Sequence, residues 1–197
     1  MLSYVMYKVI LISGVAGVGK TTLLRKIGAC VDTLTQIVDL DDYKALMRNI
    51  DFNIDGEKPS EIFYQHGIGA TPPFEQNDEK YAQIQKFVLE PVIKSAILRK
   101  SLACVVAGGM IPGRFDMLKF PDVSVRQVLL INSDREQHRR HFIERQKKRP
   151  MKKDWEHLFN IVTAEQDFYI DCAKKSGVQI INNDEKSLDV ILNILRN

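Results

Sequence analysis

A glycine-rich stretch near the amino terminus constrains what this chain can fold into more than any other feature. Residues 14–21 have the sequence Gly-Val-Ala-Gly-Val-Gly-Lys-Thr, which matches the pattern G-x-x-x-x-G-K-[ST]. The apolar run Val9–Ile12 precedes it, and the helical pattern Thr22–Ile27 follows it. A strand, a glycine-rich turn and a helix in this order form a phosphate-binding loop. We therefore predict that the loop binds a nucleoside triphosphate; a plain glycine-rich turn is the alternative.

The residue types of this loop explain how it would hold phosphate. Glycine lets the backbone curl tightly and turn its N–H groups toward a phosphate without a Cβ in the way. The helix behind the loop adds the positive end of its dipole. Lys20 is expected to reach the β- and γ-phosphates and to act in catalysis, and the Thr21 hydroxyl is expected to bind Mg²⁺. The predicted nucleotide contacts in this stretch are Gly14, Val15, Ala16, Gly17, Val18, Gly19, Lys20, Thr21 and Thr22.

The bulk composition is that of a globular domain. A chain of 197 residues is long enough for one domain with a full core, and we predict a single domain over 1–197, with 50–76 as a mobile insertion on the substrate side. No apolar run approaches the roughly 20 residues of a membrane span. We find no signal peptide, and three well-separated cysteines predict buried, reduced thiols. These features predict a cytoplasmic protein without a membrane partner.

Five short apolar runs alternate with helical patterns along the chain. This alternation predicts an α/β fold, a five-stranded parallel sheet with helices on both faces. Ligands of such sheets bind beyond the carboxyl ends of the strands. Four segments are expected there: the glycine-rich loop, 39–42, 108–114 and 132–134.

Carboxylates follow the second predicted strand. Asp39, Asp41 and Asp42 lie at its carboxyl end, and we predict that Asp41 faces the site and positions or deprotonates an acceptor hydroxyl. The alternative is that these side chains cap the following helix. Arg48 is predicted to grip an anionic acceptor, or else to be a solvated charge. Arg114, after the glycine turn 108–113, is a second predicted substrate contact, with a solvated side chain as its alternative.

A basic segment, 134–153, is predicted to form a lid over the phosphates. Residues 135–153 hold nine lysines and arginines against two glutamates, whereas the whole chain carries a net charge of +3. Arg139 is predicted to bind the nucleotide, and Arg145 to stabilise charge on the γ-phosphate during transfer. We interpret the two histidines, His138 and His141, as surface residues. A solvated charged face is the alternative for the whole segment.

Asn183, after the last predicted strand, is expected to border the adenine, although an ordinary turn would have the same sequence. The chain lacks the guanine-reading pattern Asn-Lys-x-Asp, which favours ATP over GTP.

Several segments together resemble one family. Val38–Arg48 is similar to the strand-two segment of 2-phosphoglycerate kinases, which are P-loop NTPases of the adenylate-kinase-like type. Phe74–Gln76 resembles their Phe-x-x-Gln, Ile111–Gly113 their Val-Pro-Gly, and Glu136–Arg145 their His-Arg-x-Arg-Phe segment. The resemblance implies a P-loop kinase fold, ATP and Mg²⁺, and phosphorylation of a small acidic metabolite. It also implies substrate or lid roles for Asp41, Arg48, Arg139 and Arg145.

The end of the third strand departs from that family. The family has a Glu-Gly there, whereas this chain has Val106-Ala107-Gly108 without a carboxylate. The missing acid weakens the support of Mg²⁺ or removes the base that activates the substrate. The acceptor of that family therefore does not transfer directly to this chain.

The sequence thus predicts an ATP- and Mg²⁺-dependent kinase for a small, anionic phosphoryl acceptor, present as a monomer or homodimer. A nucleoside or nucleotide kinase is the nearest alternative, and base-stacking by Phe63, Tyr64 or Phe74 would favour it. A nucleotide-binding regulatory protein with weak catalysis is a second alternative, which the missing carboxylate would suit. A polynucleotide end-kinase is a third, but the acidic balance of the chain outside the basic segment argues against a nucleic-acid partner.

Overall fold

A computed structural model of the chain describes residues 7–32, 34–43, 56–58, 61, 78–115, 123–147 and 154–197. The described residues form a five-stranded parallel sheet with the strand order β2-β3-β1-β4-β5. The strands are β1 Tyr7–Ser13, β2 Thr35–Asp39, β3 Ala103–Gly108, β4 Val123–Ile131 and β5 Gln179–Asn182. This sheet confirms the predicted fold class, and β1 at its centre leads directly into the glycine-rich loop.

The helices connect these strands and cover the sheet. They are α1 Lys20–Cys30, α2 Asp78–Leu98, α3 Arg135–Lys147, α4 Trp155–Ser176 and α5 Ser187–Arg196, with a short 3-10 helix at Leu40–Tyr43. The ends of α4 follow local rules. Asp154 accepts a hydrogen bond from the His157 N–H at its start, and Gly177 adopts a left-handed conformation at its end.

The core consists of two layers because successive side chains of a strand point to opposite faces. Ile10 of β1 belongs to the cluster that includes Ile27 of α1, whereas its neighbour Leu11 belongs to the cluster that includes Ile84 of α2. All four side chains are fully buried. Burial on both faces explains why the strands read as continuous apolar runs rather than as an alternating pattern.

The cysteine prediction is only partly correct. Cys104 is buried and Cys172 half-buried, but Cys30 is exposed, as are the other two residues of the last turn of α1. None of the helices within the described residues has the length and apolarity that a bilayer span requires.

The predicted insertion 50–76 lies largely outside the described residues. Within it, Glu57 forms an ion pair with Lys80 of α2, at 2.9 Å between Oε1 and Nζ. The predictions of mobility and of a single domain over 1–197 remain predictions.

Two consecutive glycines at the end of β3 differ in the space around them, and this difference yields a stability test. A Cβ at Gly108 would lie 2.8 Å from Cδ1 and 3.0 Å from Cβ of the buried Leu40, whereas a Cβ at Gly109 would meet nothing within 4 Å. We expect Gly108→Ala to lower the free energy of unfolding by about 1–3 kcal/mol, a typical cost of overpacking. Gly109→Ala, the matched control, should change it by less than about 1 kcal/mol. Urea denaturation measures both, and equal effects would contradict this packing.

Candidate functional site

The glycine-rich loop adopts a conformation that requires glycine at three positions, Gly14, Gly17 and Gly19. Gly17 has φ 78° and Gly19 has φ 102°, both in the left-handed region that side chains other than glycine rarely adopt. Space is limiting as well, since a Cβ at Gly17 would lie 3.2 Å from Cβ of Phe142. A Cβ at Gly19 would collide with the side-chain amide of Asn183. The loop is therefore tightly curled and enclosed by residues from α3 and from the segment after β5.

The side chain of Lys20 bonds to the first two residues of the loop. Its Nζ donates hydrogen bonds to the carbonyl oxygens of Gly14 at 2.7 Å and Val15 at 2.9 Å. Lys20 is also the first residue of α1, whose first backbone hydrogen bond runs from the Leu23 N–H to the Gly19 carbonyl. An ammonium group and the positive end of a helix dipole therefore meet at the same place, and both favour a bound anion.

The hydroxyl of Thr21 bonds to a carboxylate for which the sequence suggested only a helix-capping role. Thr21 Oγ1 donates a hydrogen bond of 2.8 Å to Oδ2 of Asp39, the last residue of β2. The other carboxylate oxygen, Oδ1, accepts a hydrogen bond from the Asp41 N–H at 3.0 Å. One side chain thus joins the start of α1 to the segment that carries Asp41. The sequence signal for this role of Asp39 is its position at the carboxyl end of a strand, a position that also led to the prediction for Asp41.

The strand pairing shows how Asp39 reaches Thr21. Asp39 is in register with Ala107 of β3, which lies between β2 and β1 in the sheet. The carboxylate that the sequence lacks at the end of β3 is therefore present one strand away, at the same level. The residues at that end of β3 are alanine and glycine, which leave room for groups from β2.

These oxygens fit a magnesium ion. Mg²⁺ prefers oxygen ligands and is usually bound through one or two protein groups together with water and phosphate oxygens. The Thr21 hydroxyl and the Asp39 carboxylate supply such groups beside the phosphate-binding loop. Among the described residues, no three His, Cys, Asp or Glu side chains form a protein-only metal cluster. The donor set therefore suits an ion that arrives with a nucleotide.

The predicted acceptor-binding residues lie in different places. Asp41 is half-buried in the 3-10 helix that follows β2, two residues after Asp39. Arg48 lies outside the described residues. Arg114 is exposed, and the preceding Gly113 donates its N–H to Oε1 of Gln127 at 2.9 Å.

Arg114 lies after the point at which the chain turns back from the carboxyl edge of the sheet. The contact between its neighbour Gly113 and Gln127 of β4 shows this. Gln127 is in register with Leu11, two residues before the end of β1. The described contacts include none that joins Arg114 to the glycine-rich loop. The substrate role of Arg114 therefore remains a prediction without a contact to support it.

The loop after β3 is held from three sides. The Gly109 carbonyl oxygen accepts hydrogen bonds from Gln85 Nε2 of α2 at 3.1 Å and from the Tyr169 hydroxyl of α4 at 3.2 Å. Gln127 of β4 bonds both to this loop and to the buried Ser13 hydroxyl at 2.6 Å, directly before Gly14. The two loops at the carboxyl edge of the central strands are thus fixed relative to each other.

The interpretation of His138 as a surface residue is wrong. Its side chain is buried, and Nε2 lies 2.9 Å from the Ala16 carbonyl oxygen in the glycine-rich loop. The ring packs edge-on against Phe159 of α4, with 5.2 Å between ring centroids. Helical periodicity places His138, Phe142 and Gln146 on one buried face of α3, which the surrounding charges masked in the sequence. His141 is exposed, as expected.

The two predicted lid arginines differ in their surroundings. Arg139 forms a two-pronged ion pair with Glu156 of α4, in which Nε lies 2.8 Å from Oε2 and a terminal nitrogen contacts Oε1. The hydrogen bond and the charge of Glu156 raise the pKa of Arg139. Arg145 is exposed near the end of α3. Of the predicted lid, 148–153 lies outside the described residues, and the nucleotide roles of both arginines remain predictions.

Asn183 lies next to the loop, as its predicted role requires. Its N–H donates to the Ile131 carbonyl oxygen at 2.8 Å, and its side-chain amide packs against Gly19. The structure therefore brings the segment after β5 to the end of the loop where α1 begins. Contact with a nucleobase remains a prediction.

Comparisons with known proteins find similarity to solved structures only. No protein-family model and no curated protein matches it. A shikimate kinase from Acinetobacter baumannii, solved in complex with shikimate, is similar over 96% of this chain and 90% of its own, with TM-score 0.53 and 15% identity. The Pnkp1/Rnl/Hen1 RNA repair complex is similar over 84% of this chain and 46% of its own, with TM-score 0.47 and 17% identity. The first likeness shows a shared fold; it does not support a specific resemblance to 2-phosphoglycerate kinases.

The buried His138 predicts a pH dependence of stability. Desolvation lowers its pKa from the ordinary 6.5, and the positive charges of Lys20 and His141 act in the same direction, against the hydrogen bond to Ala16. The folded protein therefore binds fewer protons than the unfolded chain below about pH 6.5. The free energy of unfolding should fall as the pH falls through that value and continue to fall until the folded-state pKa is reached.

This pH dependence is measured by urea denaturation at pH 7.5 and 5.5. The loss of stability between the two should be smaller in His138→Gln than in the wild type, because glutamine does not titrate. His141→Gln, an exposed neighbour on the same helix, should retain more of the wild-type loss. Equal losses in His138→Gln and the wild type would contradict the prediction.

Proposed function

We propose that this protein is an ATP- and Mg²⁺-dependent kinase that transfers the γ-phosphoryl group to a hydroxyl of a small, anionic molecule. One arrangement carries the proposal: Lys20 is curled over the glycine-rich loop while Thr21 and Asp39 are hydrogen-bonded beside it. A phosphate-binding loop, oxygen ligands for magnesium and an acidic segment thus lie at one edge of the sheet. This is the edge at which parallel α/β sheets bind ligands.

In this mechanism the protein mainly positions groups and neutralises charge. The loop N–H groups and Lys20 would hold the β- and γ-phosphates, and Thr21 and Asp39 would hold a magnesium ion, which would offset phosphate charge. Asp41 accepts a hydrogen bond from the acceptor hydroxyl and takes its proton as the reaction proceeds. The acceptor oxygen forms a bond to the γ-phosphorus, the bond from that phosphorus to the β,γ-bridging oxygen breaks, and ADP leaves with the electron pair.

The acceptor class rests on resemblance and charge. The resemblance of Val38–Arg48 and Glu136–Arg145 to 2-phosphoglycerate kinases supports a small acid as acceptor. The shikimate kinase of similar fold was solved in complex with shikimate, which supports a small-molecule acceptor of the same general kind. We propose that Arg48 or Arg114 binds the negative charge of the acceptor. The protein then acts as a monomer or homodimer in the cytoplasm.

The position of Asp39 also bears on the alternatives. The missing carboxylate on β3 would fit a regulatory protein with weak catalysis. Asp39 of β2, however, provides a carboxylate at the level of Ala107. This observation favours an active kinase. The aromatic side chains that would favour a nucleoside kinase, namely Phe63, Tyr64 and Phe74, lie outside the described residues.

Replacement of Lys20 tests the proposed phosphate site. Lys20→Ala removes the ammonium group from the loop and should reduce ATP-dependent phosphorylation about 10²–10³-fold, a typical effect of losing one preorganised charge-stabilising donor. The measurement is ADP release across a panel of small hydroxylated acids, with and without Mg²⁺. Lys26→Ala, an exposed lysine of the same helix, is the matched control and should leave the rate unchanged. Equal rates in Lys20→Ala and Lys26→Ala would rule out this site.

Replacement of Asp41 tests the acceptor side. Asp41→Asn keeps the size but removes the proton acceptor, and we expect kcat to fall about 10²–10⁴-fold, as for a general base. The KM for ATP should change little because Asp41 is not proposed to contact the nucleotide. Asp42→Asn, an exposed neighbour in the same 3-10 helix, is the control. A wild-type kcat in Asp41→Asn would assign acceptor activation to another group.

A further inference from the structure

We propose that His138 is a positioning residue that directs the N–H group of Gly17 toward the bound phosphate. The inference rests on the proposed nucleotide binding and goes beyond it. It assigns a role in phosphate recognition to a side chain that contacts the loop through a backbone carbonyl group and is not proposed to contact the phosphate itself. The contact that carries it is the 2.9 Å separation between His138 Nε2 and the Ala16 carbonyl oxygen.

The chemistry of this contact fixes the donor. A carbonyl oxygen can only accept a hydrogen bond, so Nε2 must carry the proton. The imidazole is buried, and the edge-on Phe159 ring restricts its rotation. The charged or titratable groups that face it are Lys20 and His141. Desolvation disfavours the doubly protonated imidazolium, so the ring is a fixed, neutral donor near neutral pH.

The geometry of the peptide unit transmits this contact to Gly17. A trans peptide is planar, and its C=O and N–H bonds point in opposite directions. A hydrogen bond that holds the Ala16 carbonyl oxygen toward α3 therefore directs the following N–H, that of Gly17, away from α3. A hydrogen bond to the carbonyl oxygen also polarises the peptide and strengthens its N–H as a donor. Both effects favour an anion held inside the loop.

A second residue of α3 supports the same peptide unit from the next position. Phe142 lies one helical turn beyond His138, and its Cα would be 3.3 Å from a Cβ at Gly17. His138 and Phe142 thus hold two consecutive loop residues, Ala16 and Gly17, from one face of one helix. The face of α3 that carries His138 and Phe142 therefore forms a wall of the loop.

The test measures binding of inorganic tripolyphosphate by calorimetry to the full chain at pH 7.5. His138→Phe keeps a ring against Phe159 but removes the donor, and it should weaken binding about three- to tenfold, the effect of one hydrogen bond. His138→Gln places an amide N–H the same number of bonds from Cα and should restore binding to within about twofold. His141→Phe, an exposed neighbour on the same helix, should bind like the wild type.

A backbone signal separates positioning from packing. The amide ¹⁵N–¹H resonance of Gly17 should shift when tripolyphosphate binds to the wild type and to His138→Gln, and it should shift less in His138→Phe. Unchanged affinity in a folded His138→Phe protein would overturn the inference, and so would equal weakening in both His138 variants. If His138→Phe does not fold, His138→Gln decides alone, because a tenfold loss of affinity there would overturn the inference.

The same experiment distinguishes a failure of this inference from a failure of the proposed function. Lys20→Ala should lose tripolyphosphate binding whatever His138 does. If the wild type does not bind tripolyphosphate, the phosphate site itself is wrong. If the wild type binds, Lys20→Ala does not and both His138 variants bind normally, only the role of His138 is wrong.

Discussion

The arrangement of this site depends on one hydrogen bond between the start of α1 and the end of β2. The Thr21 hydroxyl at the start of α1 donates to the Asp39 carboxylate at the end of β2, although β3 separates β2 from β1 in the sheet. The bond fixes the distance between the glycine-rich loop and the acidic segment after β2. A phosphoryl transfer site requires such a fixed distance, because most of its catalysis comes from positioning and charge neutralisation.

The small residues at the end of β3 allow the end of β2 to pack against them. As a departure from 2-phosphoglycerate kinases, Val106–Gly108 looked like the loss of a functional carboxylate. In the sheet, a Cβ at Gly108 would collide with Leu40, the residue directly after Asp39. A small residue there allows the β2 end to pack closely, and Asp39 lies in register with Ala107. The carboxylate that lies beside the glycine-rich loop, that of Asp39, therefore belongs to β2, the strand that also leads to Asp41.

Helix α3 combines a structural face and a charged face. Its buried side places His138 and Phe142 against the loop, whereas Arg139 is held by Glu156 of α4 and Arg145 is exposed. A helix with one side packed on the loop cannot swing away from it as a unit without exposing buried apolar surface. Contact of its arginines with a nucleotide would therefore require rearrangement of their side chains. The ion pair with Glu156 would have to open before Arg139 could bind phosphate.

The sequence alone determined the fold class and the place of the glycine-rich loop between β1 and α1, because these depend on local patterns. Apolar runs, helix-ending residues such as Gly177 and the spacing of glycines before Lys20 are all readable within a few residues. Tertiary structure decided which side chains meet across the sheet. The bond between Thr21 and Asp39 depends on strand order and register, and the burial of His138 depends on the packing of α3 against a loop more than a hundred residues earlier. Such contacts join distant segments, so no local pattern in the sequence encodes them.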